Sequence, residues 1–415
     1  MADRAPLHPI SRRHLEALTG ELGIFQHAIG STPDPAHGYC VDDVARALQV
    51  DLLHARGVGW VTVAGSAWRG LRFLEDAFDP ATGRFWNFRS IDGEWIGGPG
   101  SNDSLGRAML ALGETMDGAP DARLFEGALT QFARALPAAG KVTSPRAQAS
   151  VVLGCDAVLR SGGVAGSEEG PEADLGAAAA QVMSRLATGL HARFLDFARP
   201  GWPWPEASLT YENALLPRAL IVAGHRLRAD VMLKIGLQVL DWLIDIQTSS
   251  QGRFSPVGNG WWPRGGTKSQ FDQQPIEATA LLLAAEAAHR ATGNPKYLEA
   301  MELAYGWFLG ANDLGRRICD PVRGAGSDGL TSTGVNTNEG AESTLMWLMA
   351  AEHIRLMRSR TAPAKRTVGA GQPALKRPAV KGAAPVSLAA ASAAAGPSLA
   401  APVVPLEPLA PVAPQ

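Results

Sequence analysis

The chemistry-bearing side chains of this 415-residue chain gather in six stretches, most of them rich in Gly and acidic residues and several carrying Trp. They read GYCVDD (38–43), GRFWNFRSIDGEWIGGPGSND (83–103), VTSPRAQ (142–148), GWPWPEASLTYEN (201–213), RFSPVGNGWWPRGGTKSQFDQQPIE (253–277) and DGLTSTGVNTNEGAE (328–342). Their acids include Asp42, Asp43, Asp103, Glu212, Asp272, Glu277, Glu339 and Glu342; their aromatics include Trp86, Trp95, Trp202, Trp204, Tyr211, Trp261 and Trp262. Arg46, Arg107, Asn213, Arg264, Gln273 and Asn338 extend the polar set. Carboxylates beside indole faces suit sugars, whose C–H faces pack on aromatic rings and whose hydroxyl rims pair with carboxylates, amides and guanidinium groups.

Cleaving a glycosidic bond needs two carboxyl groups in different protonation states, an acid for the leaving oxygen and a base or nucleophile. Glu212 and Asp272 are the first candidates, with Asp43 and Asp103 beside them. The same acids also suit the first turn of a helix, where an ionised carboxylate or a cap is stabilising. Glu277, three residues after Gln274 and two after Pro275, has the spacing of an N3 acid behind an N1 proline.

Positioning these loops falls to helices. Over residues 1–360 the dominant pattern is a 3.6-residue apolar period in segments of 15 to 24 residues. Six segments are rich in small residues and nearly free of charge past their first turn, as helices buried all round should be. They begin near Asp42, Asp103, Arg146, Tyr211, Pro275 and Glu339, at separations of 61, 43, 65, 64 and 64 residues. Each interval holds an amphipathic segment, and PISRRHLEALTGEL supplies a sixth. Pro217 is expected to bend the start of its helix. Alternating buried and amphipathic helices predict an all-α (α/α)6 toroid, the inner N-termini opening on one side; an open helical solenoid is the alternative.

The expected domains are the toroid, 1–360, and a disordered Ala/Pro-rich tail, 361–415, with a basic patch at Lys365, Arg366, Lys376 and Arg377. The 38 basic and 40 acidic residues leave a formal charge of -2, so nothing points to nucleic acid as a partner. The start of the sequence lacks a signal-like apolar run, no stretch reaches membrane-spanning length, and Cys40, Cys155 and Cys319 are three separated thiols. A cytoplasmic protein is expected. The histidines show no metal-binding spacing, and neither GxGxxG, a P-loop nor GxSxG occurs in a fitting context, so no cofactor is expected.

The stretches GYCVDDVARAL, RFWNFRSIDGEWIGGPGSNDSLGRAMLALGE, TYENALLPRALI, GRFSPVGNGWW, FDQQPIEATA, WFLGANDLG and NEGAESTLMWL cover most of residues 22–355. In them the chain resembles bacterial six-hairpin, glycosidase-like proteins that occur alone or beside glycosyltransferase modules. The resemblance implies the (α/α)6 fold, carbohydrate metabolism, and matching positions at Asp42, Asp43, Arg46, Asp103, Arg107, Glu212, Asn213, Asp272, Gln273, Glu277, Asn338 and Glu339. A glycosyltransferase is the implied partner. Where similar proteins show SEDSHGRA, this chain has SNDSLGRA, with Asn102 and Leu105 in place of the acid and the His. The expected activity is glycoside hydrolysis of an oligosaccharide, inverting in stereochemistry. The alternatives are a non-catalytic glycan-binding or glycosyltransferase-accessory module, or phosphorolysis, epimerisation or elimination on the same fold.

Overall fold

The computed structural model describes residues 5–161 and 171–361. Of the tail expected over 361–415, Thr361 instead ends a helix, and the remainder with its basic patch lies outside the described residues.

Twelve helices dominate the described residues: α1 (Arg13–Leu18), α2 (Val41–Val58), α3 (Trp60–Ala77), α4 (Asn102–Gly118), α5 (Ala122–Ala139), α6 (Pro145–Arg160), α7 (Pro171–Phe197), α8 (Leu215–Leu227), α9 (Asp230–Ile246), α10 (Pro275–Thr292), α11 (Lys296–Phe308) and α12 (Ala341–Thr361). The even-numbered helices form the inner ring. Each packs on the next, α2 on α4, α4 on α6, and so on to α12, which packs back on α2. That last contact closes the ring and excludes the open solenoid. Helices α3, α5, α7, α9 and α11 pack outside, each against the inner helix that precedes it, and α1 lies against α12. The architecture is an (α/α)6 toroid.

The inner helices are buried as their composition predicts. From Pro145 to Val158, all of α6 is buried except Gln148, and α10 is buried from Pro275 to Ala285. Small residues let these helices touch. A Cβ on Gly113 of α4 would sit 2.3 Å from the carbonyl oxygen of Gly154 on α6, and one on Gly154 would sit 2.5 Å from the carbonyl oxygen of Met109. Backbone therefore meets backbone there, and only glycine fits.

Side chains other than the mouth acids cap three of the inner helices. Cys40 Sγ accepts from Asp43 N at the head of α2, Ser101 from Ser104 N at α4, and Ser144 from Ala147 N at α6. Asp42, Asp43 and Asp103 occupy first turns instead, where the dipole favours their charge while their side chains remain available.

Several details differ from the sequence reading. The opening segment yields only six helical residues in α1, bounded by Pro9 and Gly20. The all-α reading left no place for strands, yet the chain has β1 (Phe25–Ile29), β2 (Thr32–Cys40), β3 (Phe78–Asp79), β4 (Arg84–Arg89) and β5 (Trp95–Pro99), the last two within a stretch expected as loop. These form one antiparallel sheet in the order β1-β2-β4-β3, with β5 also on β4. Two-stranded ribbons pair β6 (Ser208–Leu209) with β7 (Trp262–Pro263), β8 (Cys319–Asp320) with β9 (Ala325–Gly326), and β10 (Gly329–Thr331) with β11 (Gly334–Asn336). Helix α8 starts at Leu215, so Pro217 falls in its first turn, where its missing N–H removes no helical bond. All three cysteines are free and buried. No helix among the described residues is long and apolar enough to cross a membrane.

Candidate functional site

Two arginines organise the mouth of the ring, each one helical turn after an acid: Asp42 and Arg46 on α2, Asp103 and Arg107 on α4. Arg46 Nη1 donates to Asp43 Oδ1 at 3.0 Å, and its Nη2 lies 2.8 Å from Glu342 Oε2 at the start of α12. Arg107 Nε donates to Asp42 Oδ2 at 3.2 Å, and its two Nη groups fork onto both carboxylate oxygens of Glu212. Arg107 thereby ties α2 and α4 to the loop before α8. Fork-on-carboxylate geometry gives both strength and a fixed orientation.

A second cluster adjoins the first. The Tyr211 hydroxyl and Ser144 Oγ, the latter at 3.2 Å, donate to separate oxygens of Asp103. Buried Arg146 stands under this loop, donating through Nε to the Tyr211 carbonyl at 2.6 Å and through Nη2 to Thr210 Oγ1 at 2.6 Å. Its guanidinium carbon lies 4.4 Å from the Tyr211 ring centroid. Glu277, fully inside, accepts from Asn213 Nδ2 at 3.0 Å and more distantly from Asn213 N. Its side chain reaches across to the loop before α8 rather than back to its own helix start.

The acids are tuned in opposite directions. Burial pushes Asp43 up to about 6 and Glu277 up to about 7, in each case against the pull of arginine charge or amide hydrogen bonds. Burial also raises Asp42, partly offset by the charges of Arg107 and Arg46. Glu212 moves down: burial pushes it upward, but the charge and hydrogen bonds of Arg107 outweigh that. The mouth thus holds carboxyls raised above their usual range beside one held below it.

Asp42, Arg46, Asp103, Arg107, Tyr211 and Trp261 line one cavity of about 230 Å³. Asn259, Gln274, Ile276 and Glu342 complete its wall. Asp42 Oδ1 is buried there without a hydrogen-bond partner. Among the described residues, Glu212, Trp261 and Asp272 adopt left-handed backbone, with φ of 47°, 62° and 59°; the only other non-glycine residue that does so is Arg228, which ends α8. Such conformations are costly for these residue types and concentrate where surrounding structure enforces them.

Other candidates are placed elsewhere. Trp202 and Trp204, expected to be available to a sugar, are 6% and 0% exposed. Both pack against Trp242 of α9, and their indole N–H groups donate to the carbonyls of Glu206 and Ser208. Trp262 closes edge-on against Trp202. Trp95 is sandwiched with Phe73 and the guanidinium of Arg89, while Trp86 pairs with Pro99 in the β4–β5 ladder. Neither lines the cavity. Asp272 and Arg264 are exposed outside its wall. Gln273 is fully buried between Trp307 Nε1 and Asp313. Glu339 faces Arg323, and Asn338 accepts from Gly30 N at 2.9 Å. At the departure from SEDSHGRA, Leu105 is core and Asn102 accepts from Arg84 at 2.9 Å. Asn259 of the cavity wall carries no signal in the sequence, because GNG reads as an ordinary turn.

The sequence matches no family model and no curated protein sequence. Solved structures do share its fold. A sugar epimerase from a ruminal bacterium superimposes with a TM-score of 0.59 at 13% identity, covering 84% of this chain and 95% of that one. Cellobiose 2-epimerase from Spirochaeta thermophila gives 0.58 at 12% identity, with 82% and 92% covered. The GH76 α-mannanase of Bacteroides thetaiotaomicron gives 0.53 at 8% identity, with 83% and 93% covered. Across sequences this far apart, what these proteins have in common with the chain is the (α/α)6 toroid.

Proposed function

We propose that this toroid is a carbohydrate-active enzyme, a glycoside hydrolase whose proton donor is Asp42. The observation that carries the reading is the unpartnered, buried Oδ1 of Asp42 in a cavity shared with two further carboxylates and an indole. Burial raises this carboxyl, so it holds a proton to higher pH than an ordinary aspartic acid. It donates that proton to the glycosidic oxygen as the C1–O bond breaks. Water adds to C1 and loses its proton to Glu342, the cavity carboxylate kept beside Arg46. Trp261, half exposed on the wall, stacks on the sugar face.

Glu212 holds Arg107 in place rather than exchanging protons, and Asp272 lies outside the reacting groups. The cavity of about 230 Å³ is below the roughly 300–1,000 Å³ of sites for drug-sized ligands, which suits a terminal sugar unit.

Sugar epimerisation is the competing chemistry on this fold. It needs a base and an acid beside the sugar's C2, and among the described residues no histidine lines the cavity. Asp42→Asn and Glu342→Gln should each reduce kcat on a reactive oligosaccharide about 10²- to 10⁴-fold without loss of fold. A broad glycan screen without turnover, or full activity in both variants, overturns the assignment. Deuterium uptake from D2O at sugar C2 without bond cleavage identifies an epimerase instead. Calorimetric binding without either reaction identifies a non-catalytic module.

A further inference from the structure

The opposite end of the ring holds a second and larger cavity, about 560 Å³, within the range of small-ligand sites. Its wall includes Arg56 near the end of α2, Arg160 of α6, Arg218 and Arg226 of α8, Arg290 of α10 and Arg360 of α12. Along α10 the distance from Ile276 at the mouth to Arg290 is 14 residues, about 21 Å of helix. The two cavities are therefore separate sites.

Arginine near a helix C-terminus is ordinary, since it offsets the dipole and pairs with acids one turn back. Most of this set fits that description. Arg160 and Arg226 share Asp156, the second at 2.7 Å, and Arg160 also reaches Asp117 at 3.1 Å. Arg290 and His353 occupy Glu286 at 2.5 and 2.6 Å, and Arg360 lies 3.8 Å from it. Glu114, the fourth carboxylate of the wall, accepts from Gln49 at 2.7 Å. Six arginines thus face four acids that already have partners.

Arg218 does not fit. It stands in the first turn of α8, where the helix dipole disfavours a cation, yet it lines the cavity at the C-terminal end of its neighbours. Its side chain is 15% exposed, and its one ion contact among the described residues is Glu114 at 3.8 Å, with no hydrogen bond. Burial lowers its pKa despite Glu114 and Glu286, as expected of a guanidinium with too little counter-charge. A buried guanidinium has five N–H donors in a planar fork, the geometry that phosphate oxygens accept.

We propose that this rear cavity binds a small phosphate-bearing anion, with Arg218 as its central ligand and Arg56 at its exposed rim. The shared chemistry covers inorganic phosphate and a phosphate ester of a small metabolite.

The test is calorimetric titration of the full chain at low salt with inorganic phosphate, pyrophosphate and glucose 6-phosphate, and with neutral glucose as a control. At least one phosphate compound should bind, and Arg218→Met should weaken it tenfold or more. Arg56→Ala, on the exposed rim, should weaken it a few-fold without unfolding the protein, while exposed Arg316→Met leaves it unchanged. A phosphate ester binding tenfold more tightly than inorganic phosphate supports the ester as occupant; equal affinity supports the free ion. Absence of binding by all three phosphates overturns the proposal. So does binding that neither Arg218→Met nor Arg56→Ala alters, or an equal loss in Arg316→Met. If Arg218→Met fails to fold, the Arg56→Ala titration decides.

Discussion

At the end where the inner helices begin, three acids and two arginines line the cavity; at the end where they finish, six arginines meet four acids. Dipole complementarity accounts for much of this contrast, since acids stabilise first turns and arginines last turns. It does not account for the positions that break the pattern. Arg107 lies beyond the first turn of α4, buried at the acidic end, and Arg218 lies in a first turn but faces the basic end. The difference between the ends also extends to backbone: all three left-handed Glu, Trp and Asp residues lie in mouth loops. Charge at a helix end can serve the helix alone, whereas a buried charge placed against the dipole needs a reason elsewhere in the structure.

Arginine replacement at the two ends gives the sharpest test. Arg107→Met leaves Glu212 buried without its partner, and the expected cost is about 3–5 kcal/mol of unfolding free energy in denaturant titration. Arg160→Met removes a side chain that is 36% exposed and leaves Asp156 paired with Arg226, so less than about 1 kcal/mol is expected. Equal losses would erase the distinction between the ends.

A pH series probes the mouth further. Glu277 is raised from 4.5 to about 7, so between these values the native state holds a proton that the unfolded chain has released. Stability from this group is present below about pH 4.5 and is lost as pH rises through about 7, a change of about 3 kcal/mol. Glu277→Gln should flatten that part of the profile of melting temperature against pH. An unchanged slope would place the proton uptake on another group.

The wall between the ends should be less tolerant than the rear cavity and more tolerant than Arg107. Gly154→Ala forces α4 and α6 apart at a backbone contact, with an expected loss of about 1–3 kcal/mol in thermal or chemical unfolding. Trp261→Ala should have the smallest effect. Its indole is half exposed, so stability stays within about 0.5 kcal/mol, while KM for a reactive glycan rises about five-fold.

How much could be seen beforehand followed from periodicity. The inner helices α2, α4, α6, α10 and α12 begin within two residues of the expected starts, because small apolar residues in a 3.6 repeat identify helices buried all round. Loops have no period. RFWNFR becomes a strand through pairing with Tyr39 and Cys40, 48 to 50 residues away in the chain. The convergence of Asp42, Asp103, Arg107 and Tyr211 was legible from their places at helix starts. The burial of Trp202 and Trp204 was not, because it depends on Trp242, which reads as one more residue on an outer stripe. Asp272 turns outward through a left-handed φ that its neighbours do not announce.

The loops that lead into the inner helices, and so surround the mouth, are of very unequal length. Only five residues, 140–144, join α5 to α6, while twenty-eight, 247–274, join α9 to α10. The shortest stretch of the rim is thus the α5–α6 link. If the hydrolase reading holds, that short link is where a glycan longer than the cavity would meet the least backbone, and lengthening it would shorten the chain the protein accepts.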